Sequence, residues 1–123
     1  MQRMVATITP TGTAGAAEGS VTLTPGYNGK LFAVYLDYAA NVTSVTNVTL
    51  ALTSPVLTVF TVSDNATDGW FWPRETAVTQ SNTAYASTAG LMAFPVTGHL
   101  RLSTSSSSPR TNAVTAYVYI EEQ

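Results

Sequence analysis

The sequence predicts an all-β protein, a single antiparallel β-sandwich of about eight short strands. Threonine recurs beside apolar residues along the chain, as in residues 21–24 and 114–118, and β-branched residues suit half-buried strands. Apolar and polar residues alternate in several segments that are bounded by Gly, Pro, Asn and Asp. No segment has the convincing 3.6-residue period of an amphipathic helix, so we expect a single short helical turn at most.

Residues 1–19 are predicted to form an extended N-terminal arm ahead of a β-sandwich domain over residues 20–123. A short β-like piece at 4–9 is followed by a Gly-, Ala- and Thr-rich stretch at 10–19 with almost nothing to bury. Two alternatives stay open for this arm. It is either a frayed terminus or a segment that orders against a neighbouring subunit.

The first half of the domain contains four strand-like segments. Turn residues at 25–29 separate the segment 21–24 from the long run 31–39. Strict alternation in that run places Phe32 on one face and Leu31 on the other, and both faces are apolar. We therefore expect a central strand that is covered on both sides. Segments 48–52 and 56–62, which Pro55 separates, are also strand-like.

The second half contains an aromatic segment, a weakly patterned stretch and two closing strands. Strand alternation in Trp70-Phe71-Trp72 puts both tryptophans on one side. For residues 76–93 we expect a strand fragment, 76–79, and then a long surface loop. Segments 95–103 and 114–120 most simply pair as a hairpin around a flexible loop, 104–112. This strand spacing favours a jelly-roll-like sandwich.

Charge content narrows the classes of function and partner. Charged residues make up 10% of the chain, less than half of the roughly 25% usual for soluble domains. The formal net charge of -2 and the scattered Lys and Arg residues argue against nucleic acid. No apolar run is long enough for a membrane helix, and Pro10 helps to interrupt any signal-peptide core. We expect a soluble protein, made in the cytoplasm without a signal peptide.

No set of residues predicts catalysis, a cofactor or a metal site. The single histidine, His99, lies in a strand-like segment without a triad motif, so we expect it to be hydrogen-bonded or solvent-facing. There is no cysteine to form a thiolate site. The segment from Asp64 to Asp68 has oxygen donors that suit calcium, but the same residues are typical of an ordinary turn. Calcium at this segment stays open.

Trp70 and Trp72 are the strongest candidates for selective binding. If they face outward, they offer a sugar-stacking platform, with Tyr27 as a further ring, or the anchor of a protein interface. If they face inward, they belong to the core. Together with Arg74 and Arg101, they are the interface residues that we predict.

Four segments resemble small virion structural proteins of tailed bacteriophages: 35–38 (YLDY), 68–74 (DGWFWPR), 94–102 (FPVTGHLRL) and 113–120 (AVTAYVYI). The resemblance runs in order from about residue 30 to residue 121. It implies a capsid cement or decoration protein on the outside of the head, which binds the major capsid protein and self-associates, often as a homotrimer. It brings no catalytic residues. The alternative is a receptor- or carbohydrate-binding module associated with a tail or fibre.

Overall fold

The computed structural model describes residues 1–23, 28–53, 56–76, 91–93, 95–96 and 98–122. These residues form strands and no helix, which confirms the all-β class. Accordingly, no helix in the described ranges is long and apolar enough to cross a membrane. The strands are β1 (Gln2–Ile8), β2 (Ala17–Thr22), β3 (Gly29–Tyr38), β4 (Asn47–Thr53), β5 (Val56–Val62), β6 (Gly69–Phe71), β7 (Arg74–Thr76), β8 (Leu91–Ala93), β9 (Pro95–Val96), β10 (Leu100–Ser107) and β11 (Val114–Glu122).

Two antiparallel sheets pack face to face. The first sheet has the order β1-β11-β3-β6, and β9 also pairs with β3. The second sheet has the order β2-β10-β4-β5, while β7 and β8 pair with each other in a small separate ribbon. Apolar residues from the inner faces of both large sheets form one continuous core. The predicted β-sandwich is thus confirmed.

The strand order is that of a jelly roll. Strands β1, β2, β3 and β4 pair in turn with β11, β10, β6 and β5, so the chain is a long antiparallel ribbon that folds back at the β4–β5 hairpin. The ribbon wraps so that β1 and β3 lie in the first sheet and β2 and β4 in the second. The strands β7, β8 and β9 lie within the connection from β6 to β10.

Strand alternation explains how the sequence builds the core. In β4, Val48, Leu50 and Leu52 are buried, whereas Thr49 lies on the outer face, where its hydroxyl is 3.2 Å from that of Thr61. Burying one such aliphatic side chain contributes about 1.5–3 kcal/mol. The large side chains with less than 2% exposure are Leu23, Leu31, Leu36, Leu50, Leu100, Leu102, Ile120, Val34, Val48, Val96, Val114 and Val118.

Residues 1–19 do not form the separate arm that the sequence predicted. β1 pairs along its whole length with β11, and Met4, Ala6 and Ile8 are buried in the core. The expected boundary after residue 19 lies inside β2. Between β1 and β2 the chain makes a tight turn in which Gly12 and Gly15 have φ angles of 128° and 82°. In the sequence, the three buried residues of β1 form only a short alternating pattern. Pairing with β11 stabilises this segment as a strand.

A β-bulge in β3 changes the faces predicted for that strand. The pairing with β11 shifts between Tyr119 and Ile120, which lie opposite Ala33 and Leu31, so Phe32 has no partner in that ladder. The extra residue reverses the alternation. Leu31 therefore faces the core together with the second half of the strand, and Phe32 is 43% exposed.

The segment predicted as one strand over 95–103 divides at Gly98. Before Gly98, β9 pairs with β3 in the first sheet, and after it β10 joins the second sheet. Gly98 has a φ of 76°, a conformation that favours glycine. β10 continues to the buried Ser107, whose Oγ lies 3.4 Å from Thr46 Oγ1, so a strand replaces the first half of the expected loop. Because β10 and β11 lie in different sheets, the predicted hairpin between them is wrong.

Part of the weakly patterned region lies outside the described residues. This part, 77–90, includes most of the expected strand fragment and the loop. The described residues at its two ends are the strands β7 and β8, which pair with Arg74 opposite Ala93 and Thr76 opposite Leu91. Tyr27, the further ring expected beside the tryptophans, also lies outside the described residues.

Candidate functional site

The outer face of the first sheet gathers the aromatic residues. Trp70 in β6 lies opposite Tyr35 in β3, and Tyr35 lies opposite Tyr117 in β11. On the far side of β11, Val5 in β1 lies opposite Tyr117. Paired residues of an antiparallel ladder share a face, so one row of side chains crosses four neighbouring strands. We call the rings of Tyr35, Trp70, Trp72, Tyr117 and Tyr119 the aromatic face.

Trp70 makes most of the ring contacts in the aromatic face. Its ring centroid lies 5.1 Å from Tyr35, 5.6 Å from Tyr119 and 6.0 Å from Trp72, distances typical of favourable aromatic pairs. Trp70 and Trp72 nevertheless remain 48% and 55% exposed, so the two tryptophans face outward and are not core. Phe71 points the other way and stacks on Phe60 at 5.7 Å, as the strand alternation predicts.

Two side chains of opposite charge flank the rings. The Arg3 guanidinium carbon lies 5.7 Å from the centroid of the Tyr117 ring, in cation–π contact. Asp37 lies two residues beyond Tyr35 in β3, opposite Thr115. Within the part of the chain that the structure describes, neither the Arg3 guanidinium nor the Asp37 carboxylate forms a hydrogen bond. Both charged groups can therefore bond to a ligand.

The rings and the two charged groups enclose a shallow cleft. Its volume is about 380 Å³, and Asp37 and Tyr35 at its wall are only partly exposed. The cleft is open to solvent along the sheet face and combines flat ring surfaces with a carboxylate, a guanidinium and phenol hydroxyls. It is lined by Arg3, Tyr35, Asp37, Trp70, Tyr117 and Tyr119.

Arg74, the third predicted interface residue, has a local structural role. Its Nη1 donates hydrogen bonds to the backbone carbonyls of Phe32, at 3.1 Å, and of Pro73, at 2.7 Å. These bonds hold the segment after Trp72 against the bulged part of β3. Arg74 thus supports the position of Trp72 and does not line the cleft.

Arg101, the fourth predicted interface residue, lies on the opposite side of the sandwich. It is exposed on the outer face of β10 in the second sheet, where its Nη2 donates to the Ser20 hydroxyl at 2.9 Å. This outer face carries mainly hydroxyl and amide groups from β2, β4 and β10, around a depression of about 500 Å³. The two outer faces of the sandwich therefore differ: one is aromatic, and the other is covered by hydroxyl groups.

A second unusual surface is the edge of the second sheet at β5, where no further strand pairs within the described ranges; we call it the β5 edge. β5 is the last strand in the sheet order, and no charged residue occurs between Asp37 and Asp64 in the sequence. Val56 is 82% exposed and Leu57 is 42% exposed. One groove of about 340 Å³ borders this edge at Val56 and includes Arg101. Another, of about 450 Å³, runs from the other end of β5 to Trp72.

In the turn from Asp64 to Asp68, polar side chains form hydrogen bonds within the protein. Asp68 Oδ1 accepts a 2.7 Å bond from the Tyr38 backbone N–H, and Asn65 Nδ2 donates to the Thr67 carbonyl at 3.1 Å. Burial raises the pKa of the Tyr38 phenol; a hydrogen bond from Asn65 opposes this rise and the nearby Asp68 charge adds to it. Among the described residues, no three His, Asp or Glu side chains come together to hold a metal ion.

His99 is exposed just before β10 begins. One ring nitrogen, Nδ1, lies 3.1 Å from the Leu23 carbonyl oxygen, and the His99 carbonyl accepts hydrogen bonds from the Thr53 N–H and hydroxyl. The expectation of a hydrogen-bonded or solvent-facing histidine is confirmed, but His99 lies between β9 and β10 and not within a strand. His99 ties the start of β10 to the ends of β2 and β4.

The fold and the surface together define a class: a jelly-roll β-sandwich with one exposed aromatic sheet face and one uncharged sheet edge. No protein-family model matches the chain, and no curated protein matches it. Sequence reasoning found Trp70 in the cleft and Trp72 beside it, but missed the other five residues that line the cleft. The alternating Tyr117 and Tyr119 were a usable signal, since both share the face of β11 that points away from the core.

Proposed function

We propose that this chain is a non-enzymatic structural protein of a virion, a cement or decoration protein that binds the outside of a phage head as a homotrimer. The observation that carries this proposal is the uncharged β5 edge. The proposal also rests on the resemblance of four sequence segments to small virion proteins. The proposed partner is the major capsid protein.

The β5 edge has one of the usual protections of a sheet edge, a bulge, and lacks the others. Soluble proteins guard edge strands with charged side chains, proline or a bulge, because unpaired N–H and C=O groups recruit other strands. β5 has a bulge at Val59, where the pairing with β4 shifts, but no charged residue and no proline. A strand of this kind, with Val56 and Leu57 exposed, is stable in solution when a partner covers it.

A neighbouring copy of the same chain is the partner that we propose for the β5 edge. In a three-fold ring, each copy contacts its neighbour through two different surfaces, so the β5 edge of one copy lies against another part of the next. The two grooves beside the edge add apolar area, and Arg101 supplies a polar contact at its border. Few charges must lose water in such an interface, which limits the desolvation cost.

Attachment to the shell follows from the trimer. Three copies that each make a modest contact bind a symmetric capsid much more tightly than one copy does, because the second and third contacts form at high effective concentration. The jelly-roll order supports the proposal to a limited extent. Viral capsid and lectin domains share this fold, and a fold does not determine a function by itself.

The alternative placement, in a tail or fibre as a receptor- or carbohydrate-binding module, is favoured by a different observation. The aromatic face has an open cleft with two charged groups that form no hydrogen bond to any residue described in the structure, which a purely structural subunit does not require. The β5 edge and the cleft are lined by different residues.

Binding to capsid shells tests the proposed function. We expect the chain to co-sediment with shells assembled from the major capsid protein of the same genome. The substitution Val56→Lys places a charge at the β5 edge and should lower the bound amount by about tenfold, since it removes the avidity of the trimer. Thr13→Lys, which adds the same charge in the exposed β1–β2 turn, is the matched control and should bind like the unmodified chain.

Two results would contradict the proposal. One is the absence of the unmodified chain from sedimented shells. The other is equal binding of the Val56→Lys and Thr13→Lys variants, because the β5 edge would then have no part in attachment.

A further inference from the structure

We infer that the cleft in the aromatic face is a binding site for a neutral oligosaccharide. This inference goes beyond the proposed structural role and does not depend on it, since none of the six residues that line the cleft lines either groove beside the β5 edge. The ligand class follows from three properties of the cleft: its open ring surfaces, its balanced pair of charges and its size.

The first property is an accessible ring platform. Trp70 contacts Tyr35 and Tyr119 at 5.1 and 5.6 Å and stacks with Trp72, yet almost half of its surface stays open to solvent. The neighbouring rings fix the Trp70 side chain, so little conformational entropy is lost when a ligand packs on it. The apolar C–H face of a pyranose is a flat surface that suits such a ring.

The second property is a matched donor and acceptor at the rim. The Asp37 carboxylate accepts hydrogen bonds only, and the Arg3 guanidinium donates them only. A sugar hydroxyl does both, so one ligand with several hydroxyl groups can bond to each. Because one negative and one positive group line the cleft, its charge favours a neutral ligand over an anion or a cation.

The same charges disfavour two other ligands of aromatic sites. Single-stranded nucleic acid stacks on aromatic rings but needs a positively charged groove, and here Arg3 is accompanied by Asp37. A quaternary ammonium group binds in an aromatic cage through cation–π contacts. In this cleft the Arg3 guanidinium carbon already lies 5.7 Å from the centroid of the Tyr117 ring. The guanidinium would repel a second cation at this ring.

The third property is size and shape. A volume of about 380 Å³ lies at the lower end of the range for small-molecule sites and suits one or two sugar rings. The cleft is open along the sheet, and the stacked Trp72 extends the ring surface beyond Trp70. A linear chain of sugars can therefore continue past the cleft, which favours an oligosaccharide over a free monosaccharide.

Tryptophan fluorescence titrations test this inference. The probes are maltohexaose, cellohexaose, mannohexaose and chitohexaose at concentrations up to about 10 mM, a range that detects weak binding. We expect at least one of them to give a saturable change in emission. Choline chloride serves as the cationic comparison and should give no saturable change.

Three variants locate the binding site. Trp70→Ala should abolish binding. Because this variant loses a fluorophore, its binding is measured by calorimetry. Asp37→Asn keeps the shape of the side chain and should weaken binding by about tenfold, since it removes a charge-assisted hydrogen bond. Phe32→Ala is the control. It removes an exposed aromatic ring that lies in β3, like Asp37, but outside the cleft, and it should bind like the unmodified chain.

Several results would overturn the inference: flat titrations with all four oligosaccharides, saturable binding of choline instead, or oligosaccharide binding that Trp70→Ala leaves unchanged. Circular dichroism of each variant shows whether its fold is retained. A Val56→Lys variant that loses shell binding but still binds the oligosaccharide would separate this site from the proposed structural role.

Discussion

Gly98 is the residue at which the chain leaves the first sheet for the second. Its φ of 76° lies in the left-handed region, and a Cβ atom built at this position meets no other atom within 4 Å. The requirement for glycine is therefore conformational and not steric. Asn41, Asp64 and Asn112 also have positive φ, but Asn and Asp tolerate this conformation better than other residues with a side chain do.

Substitution of Gly98 should destabilise the fold through backbone strain alone. We expect Gly98→Ala to lower the free energy of unfolding by about 1 kcal/mol. Gly69→Ala is the matched control, because Gly69 also has open space around its Cβ position but does not have a positive φ. Urea denaturation measures both effects, and equal midpoints for the two variants would contradict this account of Gly98.

Single residues of the candidate site could be identified from the sequence only where they were conspicuous. Trp70 and Trp72 stand in a rare aromatic run, and strand alternation correctly placed them on one side. Arg3 and Asp37 could not be assigned to the site, because they come together only through the β1-β11-β3 pairing. Arg101 was grouped with the tryptophans, although the fold places it on the other outer face.

β1 is an integral strand of the first sheet. Its inward residues pack across the sandwich, and Ile8 comes so close to β2 that a Cβ atom on Gly19 would lie 2.8 Å from Ile8 Cγ2. The N-terminal strand thus closes one side of the core. Its outward residues are more exposed, and Val5 is 51% exposed.

Truncation of inward and outward residues of β1 should have different effects. We expect Ile8→Ala to lower the free energy of unfolding by about 3 kcal/mol, because it leaves a cavity in the core. Val5→Ala, at a position that is 51% exposed, should change it by no more than about 0.5 kcal/mol. Chemical denaturation of both variants checks the difference; similar small effects would indicate that β1 is not a strand of the folded core.

The sequence predicted most strands but not how they pair. Alternation is a local property, and it located β4, β5 and β11 nearly residue by residue. Pairing is non-local: the Thr7 and Thr115 hydroxyls, 3.1 Å apart, are separated by 108 positions in the chain. The bulge at Phe32 changes the face on which residues lie, and Gly98 marks the change from one sheet to the other. Neither feature has a periodic signal in the sequence.

The surface formed by the described residues has three distinct parts. The outer face of the first sheet is aromatic and contains the proposed saccharide cleft, while the outer face of the second sheet is covered by hydroxyl groups. The uncharged β5 edge is the third part and is proposed to join copies of the chain. In a trimer, three clefts would be displayed together, so weak binding to each saccharide chain would be strengthened by multivalency.

The solution mass of the purified chain tests the proposed assembly most directly. Light scattering coupled to size exclusion should give three copies of the 13.0 kDa chain, about 39 kDa, and the Val56→Lys variant should give a monomer. A monomer of the unmodified chain, or a trimer that Val56→Lys leaves intact, would contradict the proposed assembly.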